Sequence, residues 1–198
     1  MSSLSYIRNM GFLSGQLFRR AAAIGFAIAL GTSMACGAAP RPVDEYQVKA
    51  AFLYNFAKFV EWPSGVFQSA TEAISICVLG QNPFGRSLED TVSGHAIDGR
   101  SLIVRNISNL SQVAKCHVLF VSSAGNRPLP QPLSGKETGV LIVGESETPG
   151  ADGLVINFRL DGGKVRFEIN VEAAERENLR ISSKLLSLAH VIGPGQKP

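Results

Sequence analysis

The residues with the greatest capacity for chemistry are widely spaced along this chain. Its three histidines, His95, His117 and His190, do not show the spacing of metal ligands. The pair Cys116 and His117 could supply a thiol nucleophile or metal ligands, but it begins an apolar segment that is typical of a β-strand. The sequence lacks the glycine-rich phosphate motifs, the serine-hydrolase motif and the zinc-protease motif. We therefore expect no catalytic residue, no metal site and no cofactor.

One acidic loop is a candidate ligand site. The segment GESETPGADG follows a short apolar strand and contains Glu145, Ser146 and Glu147. Loops at the carboxyl ends of strands are where open α/β sheets usually bind ligands. The simpler interpretation, a solvated surface loop, is favoured by the composition of the segment. A small-ligand-binding module therefore stands as an alternative hypothesis for the function.

The aromatic stretch KAAFLYNFAKFVEWP, residues 49–63, is a candidate interaction surface. At 100° per residue its apolar side chains cover an arc of about 180° to 200°, whereas a core-facing stripe needs little more than 100°. Tyr54 falls outside that arc, beside Lys58, and is expected to show its ring to solvent. Phe52, Tyr54, Lys58 and Trp62 are therefore the candidate interface residues, although a helix packed between two layers of its own domain would explain the same pattern.

The beginning of the chain predicts export. Three arginines precede an apolar run at residues 21–31, and small residues follow it, which is the order of a secretory signal peptide. We expect a signal peptide over residues 1–39, a single domain over residues 40–198 and a periplasmic location. Lipidation at Cys36 is disfavoured, because Ser33 stands where lipoprotein signals usually have Leu.

Removal of this leader changes the charge of the protein. The chain has 19 basic and 16 acidic residues, and the leader contains three of the basic ones, which leaves 16 of each. A neutral domain without clusters of Lys and Arg is a poor candidate for binding nucleic acid. Two cysteines remain, Cys77 and Cys116, and in an exported protein such a pair indicates a disulfide, with two buried thiols as the alternative.

The elements that must position these residues predict an α/β fold. Apolar runs at residues 74–79, 101–107, 116–121 and 140–143 alternate with helical segments, which indicates β-α-β units. Residues 153–160 and 164–169 flank the turn Asp-Gly-Gly and predict an antiparallel hairpin. Short helices are expected at residues 171–177 and 184–191. The expected domain has a mixed, mostly parallel sheet of about six strands, this C-terminal hairpin, and helices on both faces.

Three blocks of the sequence resemble one family of exported bacterial proteins. KAAFLYNFAKFVEWP, GKVRFEINVEAAER at residues 163–176 and ISSKLLSLA at residues 181–189 are similar to the YfiR family. The resemblance extends over residues 44–192 and implies a non-enzymatic periplasmic regulator. It also implies a disulfide between Cys77 and Cys116. A second cysteine pair that some relatives carry near residues 144–157 has no counterpart in this chain.

The resemblance also implies partners. The expected partner is the periplasmic domain of an inner-membrane diguanylate cyclase, which the regulator would repress, lowering cyclic di-GMP and biofilm formation. An outer-membrane OmpA-like lipoprotein is a second implied partner, able to sequester the repressor. The aromatic surface of the first helix could also serve a homodimer.

Overall fold

The computed structural model describes residues 42–122, 139–147 and 153–193, all within one compact unit of the chain. The predicted signal peptide, its cleavage region and Cys36 lie outside the described residues. Helices are α1 (Pro42–Phe59), α2 (Ser87–Val92), α3 (Val171–Arg176) and α4 (Ser183–Leu186), together with a 3₁₀ helix over Leu110–Lys115.

Two β-sheets are present in the described part of the chain. Their strands are β1 (Val60–Glu61), β2 (Ile74–Leu79), β3 (Ala96–Ile97), β4 (Arg100–Ile107), β5 (Val118–Val121), β6 (Leu141–Gly144), β7 (Ile156–Asp161), β8 (Lys164–Asn170), β9 (Arg180–Ile181) and β10 (His190–Ile192). The larger sheet has eight strands in the order β10-β8-β7-β6-β5-β2-β4-β3, and β1 pairs with β9 in the smaller one.

The central strands form a parallel sheet, as the alternation of apolar runs predicts. β4, β2, β5, β6 and β7 are parallel to one another, and β8 returns antiparallel to β7 as the predicted hairpin. Taken in chain order, these five strands have the 2-1-3-4-5 arrangement of doubly wound α/β sheets. The expected mostly parallel α/β fold is confirmed. The carboxyl ends of β2 and β5 flank the point at which the strand order reverses.

Two apolar layers cover the faces of this sheet. On one face, Leu53 and Phe56 of α1 are completely buried together with Leu88 of α2. On the other face, Val113 of the 3₁₀ helix packs with the buried side chains of Leu119 and Ile142. The helices therefore lie on both faces of the sheet, as the sequence predicts.

The disulfide is formed. Cys77 of β2 and Cys116, directly after the 3₁₀ helix, are bonded with their Cα atoms 5.7 Å apart. Both side chains are buried in the second apolar layer. The interpretation of a disulfide is confirmed, and that of two free thiols is wrong.

The shortest strands and the last helix differ from the sequence-based expectations. The helix predicted over residues 184–191 ends at Leu186, because residues 190–192 pair with β8 as β10. α1 ends at Phe59 because Val60 and Glu61 pair with Ile181 and Arg180. β3 and β10 raise the main sheet from the expected six strands or so to eight, whereas β1 and β9 form the smaller sheet.

Candidate functional site

A buried ion pair joins α1 to the carboxyl end of β6. Lys49 is only 3 % exposed, and its ammonium contacts the carboxylates of Glu145 and of Glu45 one turn earlier in the helix. Glu145 directly follows β6, and its side chain is 7 % exposed. An ammonium is buried at tolerable cost only when it is paired and hydrogen-bonded, and here two carboxylates meet this requirement.

Two hydroxyl groups complete the hydrogen bonding of Glu145. The phenol of Tyr46 donates to Oε1 at 3.1 Å, and Oγ of Ser122, directly after β5, donates to the same atom at 2.9 Å. Burial, followed by the adjacent negative charge of Glu145, raises the pKa of Tyr46 to about 12. Tyr46 therefore remains a neutral hydrogen-bond donor at physiological pH.

This cluster fills the crevice in which doubly wound sheets usually bind ligands. The ring of Tyr46 packs edge-on against Phe84, in the loop after β2, with centroids 5.4 Å apart. Phe84 packs in the same manner on Phe120 of β5 at 4.8 Å. The start of α1 therefore occupies the crevice at the carboxyl ends of β2 and β5, where the strand order reverses.

The predicted ligand loop is attached to the sheet. Asn157 of β7 accepts a hydrogen bond from the backbone N–H of Ser146 at 2.7 Å and donates to its carbonyl oxygen at 3.0 Å. Glu145 is engaged by Lys49, whereas Glu147 is exposed. The three residues are therefore not arranged as a set of side chains that converge on one open pocket.

An aromatic cluster lies at the opposite, amino-terminal edge of the parallel strands. His117 is 4 % exposed, and its ring stacks on Phe67 with centroids 4.5 Å apart. The guanidinium of Arg100 covers the Phe67 ring at 3.8 Å, and Trp62 approaches both rings edge-on. The indole N–H of Trp62 is buried without a hydrogen-bond acceptor among the described residues.

His117 also fastens β5 to β2. Its Nδ1 accepts a hydrogen bond from the backbone N–H of Ser75 at 3.0 Å, while its own backbone N–H donates to the carbonyl oxygen of Ser75 at 2.9 Å. Nδ1 must be unprotonated to accept this bond. Burial lowers the pKa of His117, Arg100 lowers it as well, and Glu72 opposes them.

A shallow cleft adjoins this aromatic cluster. It has a volume of about 500 Å³, and its lining includes His117, Glu72, Arg105 and Lys115. The size is within the usual range for small-molecule sites. Among the residues that the structure describes, no group of three or more His, Cys, Asp or Glu side chains is placed to hold a metal ion.

The four candidate interface residues do not share one surface. Phe52 is half-buried against Phe158 and Phe167 of the hairpin, and Trp62 belongs to the aromatic cluster. Tyr54 lies about 200° from Phe52 around α1, because each residue turns the helix by 100°.

Tyr54 and Lys58 form the accessible part of the set. Tyr54 is half-buried, not fully exposed as expected, because its ring packs on that of His95 at 5.2 Å. Lys58 is exposed one turn later, on the same side of the helix. The two side chains define a small surface beside the β3–β4 end of the sheet.

Lys49 is a site residue that the sequence analysis did not single out. A signal was present in the spacing. Residues 49, 53, 56 and 60 follow the i, i+4, i+7, i+11 pattern of one helix face, and the other three are apolar. A lysine at such a position implies a buried acidic partner, although the sequence does not indicate that this partner is Glu145.

The described residues contain no helix that is both long enough and apolar enough to span a bilayer. Comparison with the curated proteins finds no match. Comparison with protein-family models finds one over residues 46–190, which include most of α1, the disulfide and the hairpin. Because this match extends over more than half of the sequence, the chain belongs to the YfiR/HmsC-like family.

Proposed function

We propose that this protein is a non-enzymatic periplasmic regulator, which binds the periplasmic sensor domain of an inner-membrane diguanylate cyclase and represses synthesis of cyclic di-GMP. Its membership of a regulatory, periplasmic family is the observation on which the proposal rests. The polar side chains of the buried cluster support a non-enzymatic role, because they are engaged in structural contacts. Lys49, Tyr46 and Glu145 are bonded to one another and hold α1 on the sheet.

The regulation follows from a difference in affinity. A protein that binds one conformation of the sensor domain more tightly than the other shifts the cyclase toward that conformation. The control that it exerts is limited by the ratio of the two affinities. An OmpA-like outer-membrane lipoprotein that competes for the regulator would relieve repression by the same linkage.

The accessible surface of α1 is the proposed contact with the cyclase. Tyr54 offers an aromatic ring with a polar hydroxyl, and Lys58 offers an exposed ammonium on the same side. Aromatic side chains of this kind are enriched at interface cores. Phe52 and Trp62 contribute by positioning the helix, because they pack within the domain.

Site-specific photo-crosslinking in living cells tests this contact. A photoreactive residue at position 58 should form a crosslink with the cyclase, and the same residue at Lys164, an exposed lysine at the β7–β8 turn, should not. Tyr54→Ala should weaken the crosslink from position 58 while the protein remains folded. Equal crosslinking from both positions, or none from position 58 in cells whose cyclic di-GMP depends on the protein, would exclude this surface.

A small-ligand-binding module is the second candidate function, and the cleft of about 500 Å³ beside His117 favours it. The loop of Glu145, Ser146 and Glu147 is less suited, because Asn157 and Lys49 engage it. A ligand that binds only the folded protein raises its melting temperature. Thermal-shift screening of metabolites should give hits that Arg105→Gln abolishes if the cleft is the site, whereas hits that Arg105→Gln leaves intact would exclude it.

A further inference from the structure

The side chain of His117 has a hydrogen-bond donor without a partner. Its Nδ1 accepts a hydrogen bond from the backbone N–H of Ser75, so the neutral ring has its proton on Nε2. Burial lowers the pKa of His117, which favours this neutral form at physiological pH. Among the residues that the structure describes, no acceptor lies within hydrogen-bonding distance of Nε2.

This donor is open to the cleft beside the aromatic cluster. The described side-chain atoms that are buried without a partner belong to Trp62, Glu89 and Glu168, and Nε2 of His117 is not among them. Solvent therefore reaches Nε2, although the residue as a whole is only 4 % exposed. His117 lines the cleft, while Phe67 covers one face of its ring. A ligand in the cleft can accordingly accept a hydrogen bond from Nε2–H.

Two cations line the same cleft without a carboxylate partner. Arg105 of β4 and Lys115, at the end of the 3₁₀ helix, are exposed, and neither forms an ion pair within the described part of the chain. The acidic group of the lining is Glu72, whose carboxylate accepts a hydrogen bond from the backbone N–H of Gln68. The lining therefore combines an excess of one positive charge with the neutral donor of His117.

The wall of the cleft is fixed by hydrogen bonds. Arg100 donates to the carbonyl oxygens of Ser69 at 2.7 Å and of Glu72 at 3.0 Å, which ties the loop after β1 to β4. Apolar side chains complete much of the lining, among them Val66, Ile103 and Val140. Small-molecule sites are usually pre-formed and largely apolar, with a few polar groups that orient the ligand. The cleft has this composition.

We propose that the cleft binds a small organic molecule through a carboxylate or phosphate group, which accepts a hydrogen bond from Nε2 of His117 and pairs with Arg105 and Lys115. Guanidinium and ammonium groups form charge-assisted hydrogen bonds with oxyanions of both kinds. A free phosphate ion would leave most of the volume of about 500 Å³ and the apolar wall unused, so the anionic group belongs to an organic body. Ligand binding at this cleft is the second candidate function, on which this proposal rests.

Three small aromatic probes separate the effect of charge from that of shape. Benzoate has a carboxylate, phenyl phosphate has a phosphate, and benzamide is the uncharged analogue of benzoate. In NMR titrations of the purified protein, at least one of the two anions should shift the backbone amide signals of Lys115 and His117, and should move the Nε2–H signal of His117 downfield. Benzamide should bind at least about tenfold more weakly, because it lacks the charge. The tighter of the two anions identifies the group that the cleft prefers.

Charge variants test the roles of the lining residues. Arg105→Gln should weaken binding of the preferred anion about tenfold. Glu72→Gln should strengthen this binding, because it removes a like charge and keeps an acceptor for the Gln68 N–H. Arg166→Gln, which changes an exposed arginine on β8 outside the cleft, is the matched control and should leave the affinity unchanged.

The possible results distinguish this proposal from the function on which it rests. If benzamide binds as tightly as both anions, or if Arg105→Gln binds them like the unmodified protein, the cleft is a ligand site but does not select an anion, and the proposal is overturned. If none of the three probes shifts the signals of Lys115 and His117 at about 10 mM, both the proposal and ligand binding at this cleft are excluded.

Discussion

Lys49 attaches the first half of α1 to the end of β6 through its ion pair with Glu145. Replacing it with methionine keeps a long, unbranched side chain but leaves the buried carboxylate of Glu145 without its cation. Removing one member of a buried pair typically costs about 3–5 kcal/mol, so urea unfolding of Lys49→Met should show a loss of about 3 kcal/mol, with the partly exposed Glu45 placing it at the lower end.

Two further variants establish the cause. The exposed Lys58→Met should change the free energy of unfolding by less than about 0.5 kcal/mol. The double variant Lys49→Met with Glu145→Gln should recover part of the loss, since the unpaired charge is then absent. If Lys49→Met is as stable as Lys58→Met, the ion pair does not hold the helix.

His117 makes the stability depend on pH. Burial lowers its pKa in the folded state, so the unfolded chain, with a His pKa of about 6.5, takes up the proton first. The contribution of neutral His117 is complete above about pH 6.5. It is lost as the pH falls from there through the lowered folded pKa, with a slope of at most about 1.4 kcal/mol per pH unit.

Urea unfolding at several pH values checks this dependence. His117→Asn, which keeps an acceptor for the Ser75 N–H but cannot titrate, should remove the slope between about pH 5 and 6.5. His190→Asn, at an exposed position, should leave the slope intact. If the free energy of unfolding of His117→Asn depends on pH as strongly as that of the unmodified protein, another group takes up the proton.

At the scale of elements, the disulfide links β2 to the segment directly before β5. It closes a loop with a sequence separation of 39 residues between β2 and the start of β5. On the chain-entropy model such a loop stabilises the fold by about 4 kcal/mol. Urea unfolding with and without a reductant should show a difference of this size, and a difference below about 1 kcal/mol would contradict the model.

Elements with many apolar residues could be predicted from the sequence, whereas very short elements could not. The segment ISICVL became β2 because a compact apolar run specifies a buried strand without help from its neighbours. β1, β3, β9 and β10 have two or three residues each, too few for a periodic pattern, and are strands only because a partner lies beside them.

The same reasoning explains the errors at the candidate site. Helix periodicity located the face of α1 that contains Phe56, but it did not reveal the hydrogen bonds of Glu145, whose partner Lys49 is 96 residues away. The packing of Tyr54 on His95 is likewise a long-range contact. Local patterns identified the elements, whereas the ion pair and the aromatic cluster depend on the tertiary fold.

At the scale of the whole molecule, the described structure fits a regulator that acts through its surface. The crevice at the carboxyl edge of the strands is filled by Tyr46 and Phe84, and the start of α1 is fixed there by Lys49. The Tyr54–Lys58 surface of α1 is accessible.

The most direct test of the account is the cellular concentration of cyclic di-GMP, measured in cells that lack this protein and in the same cells supplied with it again. The concentration should rise when the protein is absent, and resupply of the unmodified protein should restore it. Resupply of Lys164→Glu, a change at the exposed β7–β8 turn, should restore it as well. An unchanged concentration of cyclic di-GMP in cells that lack the protein, while they still produce their diguanylate cyclases, would contradict the account.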